Sequence, residues 1–257
     1  MSSAATILGR ETTVERLDVA MELMSGKGRG PNPTDPAERQ AWIMSNGHGC
    51  IVNMLKQFYI LGPNIKKADY DDFVKYGLMW CSIVHAHHHE EEWWFPYLSE
   101  AIDVESVGKE HELFYRPLME MEGYLISCLP AGTEWGVTRN KVPSDTPNAT
   151  FDFAKVNTLI NTLVVSLLPH LCDEISYLDG SKLRALVSKE NWTALEKRSQ
   201  KEWNSLPIAF LVAGVIHAPN PSFPPAPWFV TKILVPGVFS WKYRRIWRFA
   251  PAVTHWT

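Results

Sequence analysis

Apolar residues recur at helical spacing through most of the chain, and the alternation typical of β-strands is scarce. Stretches rich in proline and glycine interrupt the pattern at 26–36, 61–64, 129–149 and 218–227. Between them the spacing predicts long helices at about 36–61, 69–99, 103–128 and 152–179. Four long helices with mostly short connections are typical of an all-α fold with an antiparallel four-helix bundle.

The two ends of the chain add shorter helical patterns to this predicted bundle. A helix near 13–25 precedes it, and the bundle itself should start with Asp35 as the N-cap and Pro36 in the first turn. After about residue 182, shorter helices surround a proline-rich crossover. We therefore expect an N-terminal helical extension (1–35), a bundle (36–179) and a C-terminal helical extension packed on it (180–257).

Each predicted long helix has an inward-facing stripe of residues, spaced alternately three and four apart, that is apolar except for one interruption. The interruptions, in chain order, are His48, then His87 with Glu91, then His111, then His170 with Glu174. Helical side chains four residues apart lie on one face, so each His–Glu pair should point the same way.

The segment HAHHHEEEWWFPYL, residues 85–98, allows two registers for the second helix. One places His87 and Glu91 inside, and the other places His88 and Glu92 inside. The second register runs through Cys81, His85 and Phe95 and is less apolar than the first. We therefore favour the first register, which leaves His88 on a flank of the helix.

Six inward-facing ionisable groups need a physical explanation, although a single histidine on an apolar face is usually a hydrogen-bonded core residue. An unpaired buried carboxylate costs several kcal/mol, and a whole domain is stable by only about 5–15 kcal/mol. A pair of metal ions would compensate that cost, because His and carboxylate groups on facing helices form the metal sites of bundles. No cysteine lies on the stripes, so nitrogen and oxygen donors favour Fe, with Mn or Zn as alternatives.

Four segments together resemble the hemerythrin-like (HHE cation-binding) family: MSNGHGCIVNML, HAHHHEEEWWFPYL, KEHELFYRPL and LLPHLCDEISYL. The C-terminal WKYRRIWRFAP resembles fungal members in particular. The resemblance implies a four-helix bundle with a non-haem di-iron centre. It also implies that His48 and His87 bind one metal, that His111 and His170 bind the other, and that Glu91 and Glu174 bridge them.

Two positions depart from the family's pattern. Val107 stands where the family usually has a third-helix histidine, and Glu174 follows His170 by four residues, where the oxygen carriers have Asp at plus five. The resemblance then implies two histidines per metal, rather than the uneven five-histidine set of the carriers. Open coordination favours activation of a substrate or O2, and hence a non-haem di-iron oxidoreductase acting with O2 on a small organic molecule.

Two other functions remain open alternatives at this point. One is a protein that binds or senses O2, NO or iron, and the other is a non-redox, metal-dependent isomerase or cyclase. For an enzyme, the candidate catalytic residues are Glu91, Glu174 and Tyr115, which lies one turn after His111. Trp80, Trp94 and Val107 are candidates for the wall of the pocket, although an ordinary core position explains them equally well.

The composition of the chain narrows the possible classes of function and location. The net charge is −3 over 257 residues, so there is no excess of cations for general nucleic-acid binding. The longest apolar runs are too short for a transmembrane span, and we expect no signal peptide, four reduced cysteines and a cytoplasmic location. The basic, aromatic segment around 242–248 could meet an anionic substrate or a membrane surface, although a solvated helix face is the simpler interpretation.

Overall fold

A computed structural model describes residues 3–251 and Trp256, and this part of the chain is mainly helical. The α-helices are α1 (Ser3–Leu8), α2 (Thr13–Gly28), α3 (Pro36–Leu61), α4 (Tyr70–Trp94), α5 (Val104–Ser127), α6 (Phe153–Tyr177), α7 (Gly180–Leu186), α8 (Lys189–Ser205), α9 (Ile208–His217) and α10 (Arg244–Trp247). Short 3-10 helices are Gly62–Asn64, Lys67–Asp69, Phe95–Leu98 and Ser240–Tyr243, and Val230–Phe239 is a π-helix. The all-α prediction is confirmed.

The strand content of the described residues is one small antiparallel hairpin, formed by β1 (Glu134–Trp135) and β2 (Asn140–Lys141). It lies in the long connection between α5 and α6. The backbone N–H of Val137, between the two strands, donates to the Ser82 hydroxyl on α4 at 3.0 Å. Val137 itself is buried, so this connection packs against the helices.

The long helices begin where side-chain caps satisfy their first backbone N–H groups. Asp35 accepts from the N–H of Ala37 at 3.0 Å with Pro36 in the first turn, which confirms the predicted start of α3. Asp103 caps α5 and Asp152 caps α6 in the same way.

The predicted helix 69–99 is shorter in the structure than in the sequence analysis. The α-helix α4 ends at Trp94 and continues as the 3-10 helix Phe95–Leu98. Pro96 explains the change, because proline has no backbone N–H for the α-helical hydrogen bond and its ring clashes with the carbonyl four residues earlier. The tighter 3-10 turn is a common helix ending.

The helices α3 to α6 pack against one another, each with the next along the chain and α3 with α6. Their shared interior contains fully buried aromatic and aliphatic residues such as Phe58, Phe73 and Leu125. Each such side chain contributes about 1.5–3 kcal/mol of hydrophobic stabilisation when fully buried. Gly77 permits close packing here, because a Cβ at that position would lie 2.7 Å from Phe58 Cζ.

The terminal segments cover different sides of these four helices. Helix α2 packs on α3 and α6, while α7 and α9 pack on α3 and α10 packs on α4. Helix α8 contacts the Phe95–Leu98 turn. The three-part domain division stays a prediction. Within the described part of the chain, no helix combines the length and apolar character that crossing a membrane requires.

Candidate metal centre

Histidine and glutamate side chains from α3, α4, α5 and α6 converge inside the packed helices. The cluster contains the six predicted ligands and one further histidine: His48 from α3, His87, His88 and Glu91 from α4, His111 from α5, and His170 and Glu174 from α6. Both carboxylates and His48 are fully or almost fully buried.

Glu91 lies at the middle of the cluster, with one carboxylate oxygen towards each side. Its Oε1 is 2.8 Å from His87 Nε2 and 3.6 Å from His48 Nε2. Its Oε2 is 3.4 Å from His111 Nε2 and 3.9 Å from His88 Nε2. A carboxylate with a different pair of histidines at each oxygen has the arrangement that a bridging ligand requires.

Glu174 makes a second connection across the cluster. Its Oε2 is 3.4 Å from His48 Nε2 and 3.6 Å from His170 Nε2, and its Oε1 is 3.6 Å from His111 Nε2. Like Glu91, it reaches histidines from more than one helix. The two carboxylates therefore share His48 and His111 as neighbours, and each also reaches histidines that the other does not.

Two groups within this cluster have the spacing needed to hold a metal ion. The first is His48, His87 and Glu91, and the second is His88, Glu91, His111 and His170. Within each group the potential ligand atoms all lie within 4.8 Å of one another. Because Glu91 belongs to both groups, the structure brings together two adjacent candidate metal positions with a shared carboxylate.

Three of the five histidine rings are oriented by hydrogen bonds on the nitrogen that faces away from the cluster. The Nδ1–H of His48 donates to the Leu171 carbonyl at 2.6 Å, and that of His88 donates to the Val84 carbonyl at 2.7 Å. His170 Nδ1 lies 3.1 Å from Glu110 Oε2. Metal-binding histidines are typically held in this way, which leaves the Nε2 lone pair directed at the metal.

The atoms that face the interior of the cluster have no hydrogen-bond partner in the structure. They are both carboxylate oxygens of Glu91 and Glu174 and the Nε2 atoms of His48, His87, His88, His111 and His170. Each buried polar group left unsatisfied costs about 1–3 kcal/mol. Cations at the centre would satisfy all of these lone pairs together, so the residues present fit a metal centre of nitrogen and oxygen donors.

Without a cation, the electrostatics of the cluster are unbalanced. Burial lowers the pKa of His48 to about 4, which keeps its imidazole neutral. Burial and the negative charge of Glu91 raise the pKa of Glu174. His111 behaves differently: burial opposes its imidazolium, but the nearby carboxylates of Glu174 and Glu91 outweigh that effect and raise the pKa of His111 to about 9.

His88 is the inward-facing residue that the sequence analysis misplaced on a flank. Its ring is almost buried, and its centroid lies 4.9 Å from that of His111 and 5.4 Å from that of His170. Glu92, its partner in the rejected register, is exposed. The interior of the cluster is therefore wide enough to take both His87 and His88, whereas the analysis allowed only one.

The other predicted site residues on α5 have different surroundings in the structure. Tyr115 does not point into the cluster: it is 54% exposed, with its ring 5.9 Å from that of His85. The reason is helical pitch, because Phe114 takes the buried position after His111 and turns Tyr115 outwards. Val107 is buried in the hydrophobic core.

The two tryptophans proposed as pocket walls also differ from each other. Trp80 is fully buried, and its Nε1–H donates to the Ile51 carbonyl at 2.9 Å, so it is a core residue between α3 and α4 and does not line the cavity described below. Trp94 does line that cavity, and its Nε1–H donates to Gln40 Oε1 at 2.9 Å.

Two functional candidates were not predicted from the sequence, because they contact the outer side of the candidate ligand His170 rather than the interior of the cluster. Glu110 contacts His170 Nδ1 through one oxygen, and its other oxygen accepts from the Tyr177 hydroxyl at 2.7 Å. Glu110 precedes His111 directly, and Tyr177 follows His170 by seven residues, two helical turns. That spacing was a usable signal for Tyr177, but the contact between α5 and α6 was not readable from one helix alone.

A cavity of about 910 Å³ opens beside the cluster. It lies between α3 and α4 on one side and α8, α9 and the proline-rich segment around 223–227 on the other. His87 and Gly47 are among its lining residues, so the cavity reaches the histidine cluster. Its walls come from segments far apart in the chain, which explains why the sequence analysis did not find it.

Comparison of the chain with protein-family models, with curated proteins and with solved structures gave no significant match.

Proposed function

We propose that this protein is a hemerythrin-like dinuclear metal protein. In this proposal α3, α4, α5 and α6 form an antiparallel four-helix bundle around two metal ions, with iron preferred and Mn or Zn possible. The observation that carries the proposal is the convergence of five imidazole Nε2 atoms and two carboxylates that have no other partner. Supporting evidence comes from the sequence resemblance, which assigns six of these seven side chains as ligands.

The chain divides its ligands unequally between the two positions. His48 and His87 would hold one ion, His88, His111 and His170 would hold the other, and Glu91 and Glu174 would bridge. His88 thus supplies the third histidine that Val107 cannot supply. The position beside His87 has fewer protein ligands, and it is the one that the cavity reaches.

This arrangement supports an oxidoreductase that uses O2 on a small organic molecule. Iron bound at the centre would supply redox chemistry with O2. The chain's own contribution would be to hold the imidazoles by their Nδ1 hydrogen bonds, to bury the carboxylates from water, and to admit a substrate through the cavity next to His87. The cavity is the feature that favours an enzyme.

A second candidate function is reversible binding or sensing of O2, NO or iron. It is favoured by the inward position of His88, because the chain then offers the same number of histidines as the oxygen carriers of the family. With His88 beside His111 and His170, the metal position next to Val107 is no longer short of a histidine, so open coordination there no longer favours an enzyme.

Metal analysis of the purified, reconstituted protein tests the proposal. We expect about two ions per chain, iron preferred over zinc, and we expect Glu174→Gln to lose at least one of them because the amide is a weaker ligand than the carboxylate. Glu112→Gln on the exposed side of α5 is the matched control and should keep both. A protein that takes up no metal would refute the proposal.

Oxygen uptake separates the two candidate functions. The reduced, iron-loaded protein should consume O2 irreversibly in the presence of a turned-over substrate. If the O2 taken up is instead recovered on evacuation, the binding function is correct and the oxidoreductase is not.

A further inference from the structure

The cavity beside His87 has the dimensions of a small-molecule site. Its volume of about 910 Å³ falls in the upper part of the range of about 300–1,000 Å³ that is usual for ligand pockets. It lies between the core helices α3 and α4 and the C-terminal helices α8 and α9. A much smaller space would suffice for O2 alone, so the cavity points to a larger organic molecule.

The inner end of the cavity is shaped by a glycine that faces a candidate ligand. A Cβ added to Gly47 would lie 3.7 Å from His87 Cε1 and 4.0 Å from His87 Nδ1. It would have no other side chain within 4 Å. A glycine inside an α-helix costs about 0.5–1 kcal/mol relative to alanine. Here its missing side chain leaves space directly in front of the His87 ring.

The walls of the cavity are rich in flat aromatic surfaces, contributed by Trp93, Trp94, Trp192, Trp203 and Phe210. Two of these rings are held in place by neighbours: Gln40 accepts from Trp94 Nε1–H, and the guanidinium of Arg198 lies 5.6 Å from the centre of the Trp93 ring. Aromatic walls bind aromatic ligands with favourable stacked or edge-to-face contacts.

The charges along the cavity argue against an anionic ligand. Glu90 lines the cavity near His87. The cations in the described lining are Arg39, which already donates to the carbonyls of Pro33 and Thr34 at 3.0 and 3.2 Å, and Lys189, which lies in the exposed first turn of α8. In the metal-free protein, an anion at the inner end would therefore meet the Glu90 carboxylate, while Arg39 is engaged with backbone carbonyls and Lys189 lies at the exposed start of α8.

We propose that the cavity is the binding site for a bulky, uncharged, largely aromatic organic molecule, whose reacting end lies against His87. The position of the reacting end rests on the proposed metal centre, whereas the chemical class of the bound molecule does not. The substrate class of the proposed oxidoreductase would then be polycyclic or substituted aromatic compounds without a negative charge.

Two fluorescent probes with the same ring skeleton test the bound class on the full-length protein. N-phenyl-1-naphthylamine is neutral, and 1-anilinonaphthalene-8-sulfonate carries an added sulfonate. We expect the neutral probe to saturate at one per chain and to bind metal-free protein at least tenfold more tightly than the sulfonate. Equal affinity for both probes would overturn the uncharged class.

Variants at the two ends of the cavity locate the bound probe. Gly47→Leu fills the inner end and Ser199→Trp on α8 fills the mouth, and each should weaken binding of the neutral probe at least tenfold. Their controls are Gly123→Leu on the exposed face of α5 and Lys197→Trp on α8, outside the cavity lining. If folded Gly47→Leu and Ser199→Trp proteins bind as tightly as their controls, the cavity is not the site. The two cavity variants lie on different helices, so a folding failure of one leaves the other as the test.

Proton NMR of the neutral probe tests its position relative to the metal centre. Its resonances should broaden with Mn2+-loaded protein and remain sharp with Zn2+-loaded protein, because paramagnetic broadening is short-ranged. Absence of broadening with bound Mn2+ would overturn the placement against His87. If instead the protein takes up no metal while the probe titration and its variants behave as expected, the proposed function fails and the aromatic binding site stands.

Discussion

Three consecutive histidines on α4 show how much one residue step changes a side chain's surroundings. Successive helical residues point about 100° apart, so His87 and His88 both reach the interior while His89 points away from it. In the structure His89 is 79% exposed on its side chain, and His87 and His88 are each 12% exposed. The stripe predicts the inward position that Glu91 has in the structure, but it describes an interior only one residue wide.

These positions predict a clear order of metal loss. His87→Ala and His88→Ala should each remove a ligand and lower metal content, whereas His89→Ala should keep the wild-type content. Metal analysis of the three purified variants, with circular dichroism as the check on folding, makes the comparison. Full metal content in folded His88→Ala would show that its inward position is only a packing feature.

Glu110 gives a second prediction at the residue scale, because it contacts the proposed metal centre only through His170. Its carboxylate contacts His170 Nδ1 at 3.1 Å and accepts from the Tyr177 hydroxyl. Loss of such an outer carboxylate typically lowers metal affinity about 10–100-fold. We therefore expect Glu110→Gln to weaken metal affinity within that range without abolishing binding.

The measurement for Glu110→Gln is a competition titration with a chelator of known affinity. Tyr177→Phe should show a smaller effect in the same direction, since it removes one hydrogen bond to Glu110. Glu112→Gln, exposed on the same helix, is the control. A purely structural role for Glu110 would lower thermal stability and leave the affinity of the folded protein unchanged.

At the scale of elements, the helix boundaries depended on local signals and were largely predictable. The predicted helix 36–61 agrees with Pro36–Leu61, and 152–179 is close to Phe153–Tyr177. Both helices are defined by the spacing of their apolar residues and by a capping aspartate, and each of these signals can be read from a short stretch of sequence. The packing of the C-terminal segment depends instead on contacts across the chain, for which a single sequence has no local signal.

The basic C-terminal segment illustrates that limit. The sequence left an anionic substrate, a membrane surface and a solvated face as its alternatives. In the structure Arg245 and Arg248 each lie 3.0 Å from Asp72 Oδ2 near the start of α4, and Arg248 also contacts Asp69 at 2.7 Å. At least two of the basic residues therefore connect α10 to α4.

This connection predicts a local change on mutation of Asp72, which is buried while both arginines are largely exposed. Asp72→Asn should lower stability by about 1 kcal/mol, since exposed ion pairs contribute at most about 1 kcal/mol each. It should also speed proteolysis of the C-terminal segment, while metal content stays the same. The neighbouring exposed Asp71→Asn is the control, and equal proteolysis of the two variants would contradict the role given to Asp72.

At the scale of the whole molecule, the cluster and the cavity depend on different parts of the chain. The candidate ligands come from α3 to α6, whose inward stripes the sequence revealed through their polar interruptions. The cavity requires α8 and α9 to cover α3 and α4, and no periodicity encodes that placement. The sequence thus predicted six of the seven side chains that meet at the centre, but neither His88 nor the cavity next to them.

The last prediction concerns the stability of the whole fold, because the ligands come from four helices at once. Without a cation the interior contains two carboxylates and five Nε2 atoms that lack hydrogen-bond partners. A ligand that binds only the folded state stabilises it by about 4 kcal/mol at a thousand times its Kd. In a chain of this size each kcal/mol shifts Tm by about 2–4 °C, so metal removal should lower Tm by roughly 8–16 °C. Differential scanning calorimetry of the metal-loaded and chelator-treated protein measures this shift, and re-addition of the metal should reverse it.

Glu174→Gln should show a smaller shift because it lacks one of the two shared carboxylates. An equal shift in wild-type protein and in this variant would mean that the stabilising metal binds outside the buried cluster.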